Sequence, residues 1–268
     1  MLMVLPEYFI RVLRMNYDEL INTATDVGYM LLANGAEIYR VEESMQRIFR
    51  AYAVETSEIF VIPTCIYVTI SSEDGRPITK IKRLYTRNTN LDKVGQVNDL
   101  SRRICRENTD FKIIHHELQK IDQRPNYTFI QQILAFSLVA FSFTLFYGGN
   151  LSDAVCAIFC GAAVKLVIYY MERLHANSFF TNILASCAAA AIAMVAVHIN
   201  VGLNADKIII GALMNLVPGI AITSFMRDLI AGDLVAGLIR FTESLLVATA
   251  IAIGAGVALT VTRAIWGV

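Results

Sequence analysis

The chain has 268 residues, of which 56% are hydrophobic, with a mean hydropathy of +0.52 and a formal net charge of zero. That is too apolar for a soluble chain of this length, and the balanced charge gives no basic footprint for nucleic acid. The charges are also unevenly placed. Residues 1–126 hold 17 of the 23 basic and 17 of the 23 acidic side chains, and the other 142 residues hold six of each. A soluble front joined to a membrane-embedded back follows from that division.

The opening stretch, MLMVLPEYFIRVLRMNYDE, is too short and too broken for a secretory signal. Residues 16–52 read as helix, with Leu20, Ala24, Val27 and Leu31 on one side and a break at Asn34-Gly35. After the break, AEIYRVEESMQRIF places Glu37, Arg40, Glu43 and Arg47 at helical spacing, with Glu42 beside them. Such a ladder is either a solvated salt-bridged face or a docking face for a partner or gate. From Glu55 the pattern turns to β: Ile59–Ile62, Cys65–Ser71 and Ile78–Leu84, with turns at Pro63-Thr64 and Asp74-Gly75. Leu91–Arg106 and Phe111–Ile121 return to helix, which completes an α+β domain over residues 1–125. It carries no P-loop, nucleophile elbow or H-E-x-x-H pattern. His115-His116 reads as a surface pair on a charged helix.

From residue 126 the sequence is membrane-like. Spans are predicted near 127–147, 153–171, 179–199, 207–226 and 234–262, each long enough to cross ~30 Å at ~1.5 Å per residue. The expected fold is thus an α-helical integral membrane protein with five transmembrane helices and an N-terminal cytoplasmic α+β domain. Loops on the domain's side carry Lys120, Arg124, Arg173 and Arg227, and the opposite loops carry Lys207 and Arg263. That bias places the domain in the cytoplasm and the C-terminus outside. The five cysteines (Cys65, Cys105, Cys156, Cys160, Cys187) form no C-x-x-C pair and read as buried thiols, so no metal or cofactor is expected.

Charge inside lipid costs about 2.5–3.5 kcal/mol per residue, so each case asks for a reason. Counted from the inner ends of their spans, Lys165 stands ~9 Å up, Pro218-Gly219 ~11–12 Å, Arg240 ~10 Å and Glu243 ~15 Å. Proline in a span frees a backbone carbonyl, and broken helices are a recurring way to build transport sites. Lys165 and Arg240 suit a substrate carboxylate, and Glu243 suits a coupling proton. The plainer alternatives are a snorkelling Lys165, an i,i+3 pair of Arg240 with Glu243, and a packing kink at Pro218. Arg227, Asp228 and Asp233 read as inner-loop staples or gate residues. Asp153 reads as a helix cap, and His198 as a belt histidine or a proton relay.

GAEIYRVEESMQRI and LVPG…RDLIAGDLVAGLIRFTE resemble the threonine/serine exporter family, in its split, YjjP-like form, over nearly the whole chain. The matching positions are Gly35, Glu37, Arg40, Val41 and Glu42 in the first motif. In the second they are Pro218, Gly219, Arg227, Asp228, Gly232, Asp233, Gly237, Arg240 and Glu243. The resemblance implies proton-driven export of threonine/serine-type amino acids or succinate-type dicarboxylates across the inner (plasma) membrane. It also implies a second small membrane subunit, a homo-oligomer, or both, because full-length family members continue into a second membrane domain. The competing readings are a membrane-anchored enzyme or sensor, and a regulatory subunit whose partner conducts the substrate.

Overall fold

A computed structural model describes residues 16–72, 74–107, 109–125 and 127–266; most of the opening stretch discussed above lies outside these. The chain forms two compact units. One takes the described residues up to Pro125 together with Thr223–Arg240; the other runs from 127 to Ile222 and resumes at Phe241.

The first unit begins with helix α1 (Tyr17–Ala33), whose first turn is capped by the Asn16 side chain accepting from the Glu19 N–H. Its Leu20, Ala24, Val27 and Leu31 are fully buried, as the helical spacing requires. Gly35, at φ +92°, ends it: the N–H groups of Gly35 and Ala36 return to the Leu32 and Leu31 carbonyls. Helix α2 (Ile38–Ala51) then buries Ile38, Val41, Met45, Ile48 and Phe49 and turns its charges outward. Strands β1 (Ser57–Ile62), β2 (Cys65–Ser71) and β3 (Pro77–Arg83) make an antiparallel meander in the order β1-β2-β3. Ile62 pairs with Cys65, so Pro63 and Thr64 are the whole first turn. Alternation on β2 buries Ile66, Val68 and Ile70 against the helices. Helices α3 (Leu91–Glu107) and α4 (Phe111–Asp122) complete the core with Val97, Leu100, Ile104 and Ile114. Each fully buried side chain of this size contributes roughly 1.5–3 kcal/mol.

The second unit is built the other way round. Its helices are α5 (Phe129–Phe146), α6 (Leu151–Arg173), α7 (Ser178–His198), α8 (Ala205–Leu213), the start of α9 (Gly219–Ala231) and most of α10 (Leu234–Trp266). The interior row of α7 is small (Ala185, Ala189, Ala190 and Ala193, all 0% exposed), whereas Leu134, Leu138, Phe146 and Phe159 are mostly exposed. Small residues inside and large apolar ones outside suit a solvent of hydrocarbon, in which close packing replaces the hydrophobic effect between helices. A Cβ on Gly161 would lie 2.5 Å from the Phe136 carbonyl oxygen, and one on Gly254 would lie 2.1 Å from that of Ile183. These glycines set the helix separations.

Four helices among the described residues, α5, α6, α7 and α10, are long and apolar enough to cross a membrane. The stretch expected as a continuous span over 207–226 is two short helices instead, α8 and α9, with a turn between them. Pro218 has no N–H for the Met214 carbonyl and its ring crowds that turn, so α8 stops at Leu213. The segment Thr223–Arg240, assigned from sequence to the transmembrane domain, groups with the first unit.

Candidate functional site

Two stretches about 190 residues apart meet inside the first unit. The α1–α2 turn supplies Ala36 and Glu37, and α2 supplies Arg40 and Glu42; the α9–α10 hairpin supplies Arg227, Asp228, Asp233 and Arg240. Gly232, at φ +96°, makes the hairpin possible: its N–H and that of Asp233 close back onto the Leu229 and Asp228 carbonyls. A Cβ on Gly237 would lie 2.7 Å from Leu229, so the two arms of the hairpin touch.

At the centre, the Asp228 carboxylate is 0% exposed and the Arg240 guanidinium 6%, with Arg240 Nη1 3.4 Å from Asp228 Oδ2. Arg240 Nη2 also donates to the Ala36 carbonyl at 3.0 Å, which ties α10 to the glycine turn. Neither Asp228 oxygen accepts a well-formed hydrogen bond. Burial therefore pushes the Asp228 carboxyl above the usual range; Arg240 and Arg227 offset this in part, and Asp233 and Glu37 add to it. Around this pair, Arg227 Nη1 donates to Glu37 Oε1, and Glu37 Oε2 also takes Arg40. Glu42 accepts from the Val61 N–H at 2.8 Å; burial raises its carboxyl, the Val61 bond opposes that, and Asp233 reinforces it. Four carboxylates and three guanidiniums thus share one small volume, and the least hydrated of them form one pair.

Arg240 makes this ion pair across the hairpin with Asp228, a partner that the i,i+3 pattern with Glu243 does not suggest. Glu243 itself is exposed in the chain and belongs to the second unit. Lys165 also lies in the second unit, 7% exposed, with Nζ 5.5 Å from the Phe136 ring centroid. It is buried within that unit. The Asn215 amide donates to the Phe136 carbonyl at 3.1 Å and to the Ala212 carbonyl at 3.2 Å. Lys165 and the broken stretch before Pro218 therefore converge on one residue of α5. Asn215 was not singled out from sequence, where only the adjacent proline signals that a backbone carbonyl needs a donor. Ala36 was equally silent, because its contribution is a carbonyl. Asp153 does more than cap α6: Oδ1 accepts from the Leu203 and Asn204 N–H groups, and Oδ2 from Asn204 Nδ2 and the Asn150 N–H. His198 stacks on Trp266 with centroids 4.2 Å apart, and the exposed His115 lies 3.9 Å from Asp26. No group of three metal-ligating side chains is found among the described residues.

A family model described as "Putative threonine/serine exporter" matches residues 22–262, a range that includes both halves of this charged cluster. The chain belongs to the threonine/serine exporter family. It is similar to the "Threonine/serine exporter" of Corynebacterium glutamicum, at 21% identity over 88% of this chain and 50% of that protein. It is also similar to the "Probable succinate transporter subunit YjjP" of Escherichia coli strain K12, at 24% identity over 90% of this chain and 92% of that one. A "Probable threonine/serine exporter" of Mycobacterium tuberculosis aligns at 20% identity over 84% of this chain and 43% of its own length. The chain thus spans about half or less of the two exporters and nearly all of the E. coli subunit. These relatives are named as transporters, not enzymes. No solved structure matches.

Proposed function

We propose that this chain is an inner-membrane subunit of a secondary exporter of small hydrophilic metabolites, threonine/serine-type amino acids or succinate-type dicarboxylates. Membership of the family and the names of its relatives support the class of activity. The observation that carries the mechanism is the buried Asp228–Arg240 pair, in which the carboxylate has charge but almost no hydrogen bonding. With Asp228 ionised, Arg240 is held to it. A proton on Asp228 weakens the pair and makes the guanidinium available to a substrate carboxylate, which it can grip with two N–H groups. Proton and substrate are thereby linked at one residue pair. Arg227, Asp233 and the cytoplasmic-motif residues Glu37, Arg40 and Glu42 hold the frame and act as the inner gate.

In the second unit, Lys165 and the Pro218-Gly219 break are the proposed substrate contacts. Glu243 is the proposed proton acceptor nearer the outer side, its apolar enclosure supplied by lipid or another chain. The stretch 207–226, which takes in α8, the turn and only the start of α9, is proposed as a fifth, interrupted crossing, with the N-terminal unit in the cytoplasm. A second small membrane subunit, or further copies of this chain, completes the carrier.

The test is transport in proteoliposomes that hold this chain with its partner subunit, using labelled threonine, serine and succinate. Asp228→Asn is expected to keep substrate exchange but lose its acceleration by an imposed pH gradient, and Arg240→Gln to lose both. An Asp228→Asn protein that still answers the gradient like the parent discards the coupling role.

A further inference from the structure

A second charged feature lies in the first unit, joined to the Asp228–Arg240 cluster through Arg40. Helices α2 and α3 enclose a cleft of about 530 Å³. Its walls are Tyr39, Arg40, Glu43, Ser44 and Arg47 from α2, and Asn98, Ser101, Arg102, Cys105 and Arg106 from α3. The spacing accounts for this: 40, 43/44 and 47 fall on one face of α2, and 98, 101/102 and 105/106 on one face of α3. Four guanidiniums therefore border the cleft against a single carboxylate. Glu43 is committed to Arg47 at 2.6 Å, and Arg40 to Glu37, which lies outside the walls. Among the described residues Arg102 and Arg106 are in no ion pair, although their neighbour Arg103 finds Glu117 on the other side of α3. Two unpaired arginines one turn apart, facing two more across a cleft floored by the buried Ser101, make a cationic site with hydroxyl and amide donors in reach. Unpaired like charges repel, so this arrangement stabilises the fold least when empty and most when an anion is bound.

We propose that the α2–α3 cleft binds a small free anion of at least two negative charges, carboxylate- or phosphate-borne. The volume exceeds that of one phosphate and suits a di- or tricarboxylate or a small phosphorylated metabolite. Arginine favours both chemistries, because its planar fork meets two oxygens at once. Of the proposed gate residues the cleft shares Arg40, and its test, made at Arg102 and Arg106, does not depend on the gate.

The experiment titrates the full chain in detergent with succinate, citrate, pyrophosphate and AMP at fixed ionic strength, by calorimetry. Chloride serves as the monovalent control. Saturable binding of at least one multivalent probe is expected, and chloride should not compete at matched ionic strength. Arg102→Gln with Arg106→Gln should weaken binding about tenfold or more, since a charge-assisted hydrogen bond contributes about 1.5–3 kcal/mol and each ~1.4 kcal/mol is a decade. Arg103→Gln, which removes one charge from outside the cleft walls, should leave affinity within about twofold. Cys105 supplies an independent reading, because a bound anion should slow its alkylation by neutral iodoacetamide, followed site by site in the mass spectrum. Repeating the titration in nanodiscs with and without phosphatidylglycerol identifies the source of the anion. Binding unchanged by the lipid supports a free metabolite, and loss of binding through competition assigns the site to a headgroup and overturns the metabolite reading. Absence of saturable binding by every probe, or equal weakening by Arg103→Gln, also overturns the proposal.

Discussion

Asp228 and Glu42 are carboxyl groups that the folded chain keeps from water, and both carry a stability signature. The folded protein holds the Asp228 proton more tightly than the unfolded chain, where about 3.9 applies. Stability contributed at this site therefore falls as pH rises from about 4 through the raised folded value, and is level above it. Asp228→Asn removes that descent, so thermal midpoints in detergent should slope less with pH in the variant than in the parent. Equal slopes would show that burial of Asp228 is not the cause. Glu42 runs with the same sign, and its Val61 contact separates charge from hydrogen bonding. Glu42→Gln keeps an acceptor for the Val61 N–H and should leave stability within about 1 kcal/mol, while Glu42→Ala strands that N–H and should cost about 1–3 kcal/mol by denaturant titration. At this scale the sequence named most of the participants, Glu37, Glu42, Arg227, Asp228, Asp233 and Arg240. It did not give their partners, because an ion pair across a hairpin leaves no i,i+3 or i,i+4 trace.

At the scale of elements, glycine and one aspartate set how helices approach. A Cβ at Gly161 meets backbone, which cannot rotate away, so Gly161→Ala must push α5 from α6. Such overpacking costs typically 1–3 kcal/mol, to be read as a lower unfolding temperature in detergent. Asp153→Ala removes four hydrogen bonds, three that join the start of α6 to the loop before α8 and one from the Asn150 N–H at the cap of α6. It should destabilise by about 2–4 kcal/mol, whereas Asp153→Asn, which keeps acceptor capacity at one oxygen, should lose less. The helices and strands of the first unit were legible within two residues, since the buried stripe of α1 and the alternation of β2 are local patterns. The break between α8 and α9 was read only as a proline inside a span. Whether such a proline kinks a helix or ends it depends on what satisfies the freed carbonyls. Here the helix ends at Leu213, and the Asn215 side chain donates to the Ala212 carbonyl in its last turn.

For the whole molecule, the composition divides the chain into a charged part and a greasy part, and the family match extends across both. If a second small membrane subunit completes the carrier, the chain reconstituted alone is expected to move no labelled threonine, serine or succinate above the rate of empty vesicles, whereas completion by further copies of this chain predicts transport without it. Full transport by the chain alone would remove the need for a second subunit. What the sequence determined by itself was the class: a charged α+β stretch followed by long apolar helices, of which five were expected and four are long and apolar enough to cross a membrane among the described residues. Those are sums and periodicities, and they survive without knowledge of contacts. What only the tertiary structure decided was that Thr223–Arg240 groups with the N-terminal unit, and that Asp228 comes within ion-pair distance of Arg240. Charge pairing depends on distance in space and on water excluded by all surrounding residues at once, and neither quantity is written along the chain.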